Sequence, residues 1–211
     1  QHRTGYRYAS PVVSSFNEVR MTPLDDDGQV LIAHELRVEP RAAVLVYTDY
    51  WGARVESFDT HEPHDVLEVI ATSTVDTAGG YHRAAGATWE DLASEKVLDR
   101  WCEYLVTSSY VDDAREDEHR AGLVDQLRAC PTPADAVDLC NEMVRDRISY
   151  ASGSTTVSTT AGEAWDAGSG VCQDFAHAML SLLRSAGIPA RYVSGYLHTE
   201  EEALGETVRG E

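Results

Sequence analysis

Lysine is nearly absent from this 211-residue chain: Lys96 is the single example. Seventeen basic residues face 36 acidic ones, for a net charge of −19. A surface so short of positive charge disfavours nonspecific binding to nucleic acid and to anionic membranes. Arginine in place of lysine, with abundant aspartate, fits GC-rich coding or a high-salt habitat equally well, and neither speaks to activity. No apolar run reaches bilayer-spanning length and no secretory signal pattern is present. A cytoplasmic protein is therefore expected, although Gln1 is not an initiator methionine, which implies a trimmed start. Cysteine is sparse as well. Cys102, Cys130, Cys140 and Cys172 form no C-x-x-C pair, and the eight histidines show no metal-ligand spacing, so neither a zinc site nor a cofactor is expected. In a chain this long, four cysteines favour free thiols over a disulfide framework. Cys102 and Cys140 lie in helical apolar patterns and read as core; Cys130, before Pro131, reads as a loop edge.

What is present divides into two regions, 1–80 and 81–211. The first reads as a series of short strands. Tyr6, Tyr8, Val12, Val13, Phe16, Val19 and Met21 alternate with polar neighbours, and Asp25-Asp26-Asp27-Gly28 marks a turn. Further strands are expected over 30–38, 44–47, 54–58 and 65–75, with Asp49 to Ala53 as a hairpin connection. The spacing suggests an antiparallel sandwich or small barrel. Gly and Ala cluster over 77–86, and from Trp89 the period turns helical. The charge run over 112–120 reads as a solvated loop or helix face, followed by a short helix over 123–127. Thr132 caps a clearer helix over 133–147, with Pro133 at its first position and Ala136, Val137, Cys140, Met143 and Val144 on one face. Ser152 to Ala161 reads as an ordered loop feeding a short helix near Trp165. The fold class expected is α+β.

The chemistry concentrates in Gly170 to Tyr196. Cys172 opens an apolar helix, where free amide groups and the positive end of the helix dipole favour a thiolate, the form that attacks carbonyls. At about 100° per residue, Phe175, Ala176, Met179, Leu180, Leu182, Leu183 and Ala186 fall within roughly 80° of Cys172. Gln173, Asp174, His177, Ser181, Arg184 and Ser185 fall opposite. On this wheel Cys172 points inward, and His177, about 140° away, is a solvent-face or second-layer residue. Gly187 and Pro189 end the helix, and 191–197 reads as a strand with Tyr192, Ser194 and Tyr196 on one face. Asp174 in the first turn serves the helix dipole. The Cys172 amide is one oxyanion donor and the Gln173 side chain a candidate second. Trp165 lines the cleft or belongs to the core. His198, after the strand, is the better placed of the nearby histidines, but reads as a loop residue.

Gly170-Val171-Cys172-Gln173-Asp174-Phe175-Ala176-His177, with Arg184-Ser185-Ala186-Gly187-Ile188-Pro189-Ala190-Arg191-Tyr192-Val193-Ser194-Gly195-Tyr196-Leu197, resembles the transglutaminase-like superfamily of papain-like fold, in particular its bacterial branch labelled as cysteine proteases. Ile148-Ser149-Tyr150, Thr159 to Ala164, His2 to Tyr8, Pro11 to Val13 and Asp49 to Gly52 extend the likeness. The resemblance implies a β-rich N-terminal region, then a core with a Cys–His–Asp triad in which Cys172 is the nucleophile. It places the histidine and aspartate on later strands, so the chain reads as truncated before both, lacking the last strands of the core and inactive as it stands. It implies amide-bond chemistry on a peptide or protein, as peptidase, amidase or acyl transferase. A pseudoenzyme or binding module that keeps the fold is the competing reading, and an open sheet edge would suit pairing with a second copy.

Overall fold

A computed structural model describes residues 1–26, 28–77 and 86–196. The chain divides into two compact units, Gln1–Tyr81 and His82–Glu211. The Gly/Ala segment between the two regions falls almost wholly outside the described residues, as do His198 and Leu197.

In the first unit six strands run β1 (His2–Val12), β2 (Ser15–Val19), β3 (Gln29–Glu39), β4 (Val44–Thr48), β5 (Arg54–Thr60) and β6 (His64–Thr77). They form two antiparallel three-stranded sheets, ordered β1-β6-β3 and β2-β5-β4. Alternation decides which face is buried: Leu67, Val69 and Ala71 of β6 point inward at period two. Val38, Leu67 and Val69 from one sheet and Phe58 from the other share a core, as in a sandwich. The hairpin at Asp49 to Ala53 forms because the Asp49 carboxylate accepts from the amides of Trp51 (3.0 Å) and Ala53 (2.9 Å), with Gly52 at φ 81°. A polar tie also joins the sheets: His34 Nε2 meets Glu56 Oε2 at 2.9 Å, both side chains buried, and the Ser73 hydroxyl lies 2.8 Å from His34 Nδ1.

The second unit holds helices α1 (Trp89–Leu92), α2 (Glu95–Trp101), α3 (Glu118–Arg128), α4 (Pro133–Arg147), α5 (Ala161–Ala167) and α6 (Cys172–Ser185), with the two-residue strands β7 (Ser149–Tyr150) and β8 (Ser169–Gly170) paired in parallel. Capping chemistry sets the starts. Thr132 accepts from the Asp135 amide at 3.1 Å with Pro133 next in line, and Thr160 and Glu163 form a reciprocal capping box ahead of α5. Helix α6 is central. Its Ala178, Leu182 and Leu183 pack with Val124 and Leu127 of α3, Cys140 and Val144 of α4 and Trp165 of α5.

Four expectations are corrected. The charge run is not simply solvated: Asp117 caps α3, and Arg120 turns inward to a bidentate ion pair with Asp112 (3.0 and 2.9 Å). Its helix consequently begins at Glu118 rather than Leu123. Cys102 is exposed rather than core, because the helical period breaks at Trp101 into a short 3₁₀ turn. Residues 191–196 form no strand; a strand needs a neighbour to take its amides and carbonyls, and none pairs with this segment among the described residues. Cys172 and the polar side of α6 are the fourth correction, and they belong to the site.

Candidate active site

Helix α6 begins where strand β8 ends. Val171 is still extended (φ −107°, ψ −179°), and Cys172 is the first helical residue. Val171 has no side-chain acceptor for the helix amides; Asp174 caps in the reverse sense, its Oδ2 accepting from the Val171 amide at 2.7 Å and from the Thr155 hydroxyl at 2.6 Å. This close approach requires Gly170, since a Cβ there would lie 2.6 Å from Asp174 Cβ. The amides of Asp174 and Phe175 return to the Val171 carbonyl at 2.9 and 3.3 Å. The Cys172 and Gln173 amides come before the first intrahelical bond and remain as donors at the helix start.

Cys172 is exposed, not turned into the core as its wheel angle suggests. At the first helical position no preceding turn covers the side chain, so the angle does not bury it. The opposite correction applies to the polar side: Asp174, His177, Ser181 and Ser185 are all buried. Each has a partner on a loop. Ser181 donates to Asp112 Oδ1 at 2.9 Å, and Ser185 donates to Asp113 Oδ1 and accepts from the Ala114 amide, both at 2.9 Å. Asp174 takes Thr155, the Gln173 amide group donates to the Val157 carbonyl at 3.4 Å, and His177 stacks on the Tyr110 ring. The Ser/Thr-rich loop is thus strapped to the first turn of α6.

The sequence-derived site residues are therefore dispersed. Gln173 turns its side chain to the loop. Trp165 sits in the core with Nε1 lacking a hydrogen-bond partner, its ring under the Arg147 guanidinium at 5.8 Å. Two residues that sequence reasoning passed over as site residues adjoin His177 instead. Tyr192 and Tyr110 flank His177, with ring centroids 5.5 and 5.8 Å away, the Tyr110 ring nearly parallel to the imidazole at 4°. Burial, then the charges of Cys172 and Asp174, push the Tyr192 phenol upward, which marks Tyr192 as a neighbour of both. Burial pushes the His177 imidazole down, against the opposing influence of the Thr159 backbone and the charge of Asp174. Tyr192 had a signal in the sequence, its place in the motif; Tyr110, more than 60 positions before Cys172, had none. Among the described residues no group of three His, Cys, Asp or Glu side chains is arranged to hold a metal ion, and no helix is long and apolar enough to cross a membrane.

The chain is thus a two-sheet β unit followed by a largely helical unit with an exposed thiol at the start of its central helix. Residues 1–76 match the bacterial transglutaminase-like N-terminal region, and residues 121–210 match the transglutaminase-like superfamily. An uncharacterized protein of Mycobacterium leprae is 38% identical over 210 residues, covering 99% of this chain and 74% of its own length. Uncharacterized proteins of Mycobacterium bovis and Mycobacterium tuberculosis are 34% identical over 219 residues, 94% of this chain. The chain spans 65% of the length of those two. It belongs to the transglutaminase-like superfamily. In fold it is similar to a crystal structure of a "putative cysteine protease" from Cytophaga hutchinsonii, with TM-score 0.66 and 22% identity over 89% of this chain and 62% of that one.

Proposed function

We propose that this protein serves thiol-dependent amide-bond chemistry in which Cys172 attacks a carbonyl and carries the acyl group as a thioester, resolved by water or an amine. The observation that carries the reading is the exposed Cys172 thiol at the start of a helix buried along the rest of its length, with unbonded amides beside it. The Cys172 amide is the proposed oxyanion donor. A peptide or protein is the proposed substrate, and the acceptor decides between peptidase or amidase and acyl transfer. The base and its orienting acid are proposed to lie in a longer chain, as the family resemblance implies. His177 is buried against two tyrosine rings. That engagement also favours a second reading, a pseudoenzyme or binding module.

The test is turnover of a broad peptide pool, with and without an added amine, by residues 1–211, by the longer Mycobacterium leprae relative and by Cys→Ala forms of each. We expect no Cys172-dependent turnover in residues 1–211, and loss of activity of the order of 10³-fold or more when the nucleophile of the longer chain is removed. A longer chain indifferent to that substitution would favour the binding module. Cys172-dependent turnover by residues 1–211 alone would overturn the assignment of the base.

A further inference from the structure

We propose that His177 is a positioning residue that clamps Tyr192 against the helix as a wall of the cleft beside Cys172, with Tyr110 as the opposing support. The part of this that concerns catalysis rests on the reading of Cys172 as nucleophile. His177 is only 8% exposed, whereas Tyr110 and Tyr192 are 43% and 44% exposed. The imidazole is thus the inner slab and the two phenols are its outer faces. His177 stands five residues, about 7.5 Å of helix rise, beyond Cys172, and helix side chains lean toward the N-terminus, so a ring seated on His177 lies on the Cys172 side of its turn. The Cys172 charge, second to burial, acts on the Tyr192 phenol accordingly.

The supports of the two tyrosines differ. Tyr110 belongs to a segment tied down on both sides: its carbonyl accepts from the Ala161 amide at 2.8 Å, and Asp112 is held by Arg120 and Ser181. Tyr192 follows two anchors of its segment, the Ala190 amide on the Tyr104 carbonyl at 2.9 Å and Arg184 on the Ala190 carbonyl at 3.0 and 2.8 Å. No strand pairing involves residues 191–196 among the described residues, and the Tyr192 ring packs on the His177 ring at 5.5 Å. The imidazole is held by burial between the two rings, and its Nδ1 is buried without a partner. The position therefore uses the imidazole as a flat surface more than as a hydrogen-bonding network. The groups facing it are Asp174 from its own helix, Tyr110, Tyr192 and the Thr159 backbone.

Two readouts test this. The first is the ratio of Cys172 alkylation rates for N-benzyl iodoacetamide and plain iodoacetamide, since an aromatic wall favours the aromatic reagent by about threefold or more. His177→Ala and Tyr192→Ala should each bring that ratio to about one, the double variant should add nothing, and His177→Phe, which keeps a flat ring, should retain it. The second is aromatic NMR, in which the Tyr110 and Tyr192 ring signals follow the His177 titration with a shared midpoint. Additive effects of the two alanine variants, or a phenylalanine variant as defective as alanine, would overturn the clamp. If His177→Ala does not fold, Tyr192→Ala at its half-exposed site still tests the wall: an unchanged ratio there sinks the proposal. Neither readout needs turnover, so a clamp that holds while the longer Mycobacterium leprae relative is indifferent to loss of its nucleophile would count against the nucleophile reading alone.

Discussion

Two exposed cysteines sit at opposite ends of helices. Cys172 opens α6 among unbonded amides, whereas Cys102 follows the last residue of α2, where carbonyls gather. A helix end acts on a nearby charge by about 0.3–1 kcal/mol, so timed alkylation with peptide mapping should find Cys172 modified about two- to fivefold faster than Cys102. Cys140, whose thiol burial pushes up to about 12, should stay unmodified while the protein is folded. Equal rates at Cys172 and Cys102 would mean that the start of α6 does not prime its thiol. Gly170 is the second residue on which the site turns. Gly170→Ala forces a methyl against the Asp174 side chain, and overpacking of this kind costs about 1–3 kcal/mol. Urea unfolding should register that loss; an unchanged midpoint would mean that the β8–α6 junction yields freely.

At the scale of elements, the Asp112–Arg120 pair joins the loop before α3 to that helix, and Ser181 adds α6. The arginine is buried but the aspartate is over a third exposed, so the pair falls between the surface and interior cases. Arg120→Ala should cost about 2 kcal/mol by thermal or urea unfolding, and a loss near zero would place the pair with ordinary surface bridges. The elements themselves were largely legible in the sequence. Thr132-Pro133 announced a helix start, and alternation announced the strands. The environment of α6 was not. A helical wheel records polarity, but whether Asp174, Ser181 and Ser185 meet water or a partner depends on loops 19 to 72 residues earlier, which periodicity does not see. The same blindness turned Arg120 outward. The 191–197 strand failed for a different reason: composition supplies strand propensity, but only a neighbouring strand supplies the hydrogen bonds.

For the molecule as a whole, a net charge of −19 makes acid and salt the informative variables. The Arg115 side chain, helped by its amide and by Ser185 against some burial, holds Asp113 down to about 2. Asp112 is also held low: burial, the largest influence, opposes ionisation, but the hydrogen bonds from Arg120 and Ser181 prevail. Both carboxyls are depressed in the folded state, so their contribution is complete above the ordinary aspartate value near 3.8 and is lost as pH falls from there toward 2. Unfolding measured across that window should steepen with acid, and Ser185→Ala should narrow the dependence; a variant with the same profile would remove Asp113 from the account. Between pH 4 and neutrality, self-repulsion among the remaining carboxylates acts in the other direction, and added salt should relieve it.

The beginning of α6 can also be considered in time. The amides of Cys172 and Gln173 are free, those of Asp174 and Phe175 are bonded, and further along Leu182 is fully buried. Deuterium reaches the Cys172 amide without any part of the protein moving, whereas the Leu182 amide waits for the helix to come apart. Within this helix the exposed residue among the described ones is the cysteine itself, so a reagent meets the thiol without waiting for the helix to come apart.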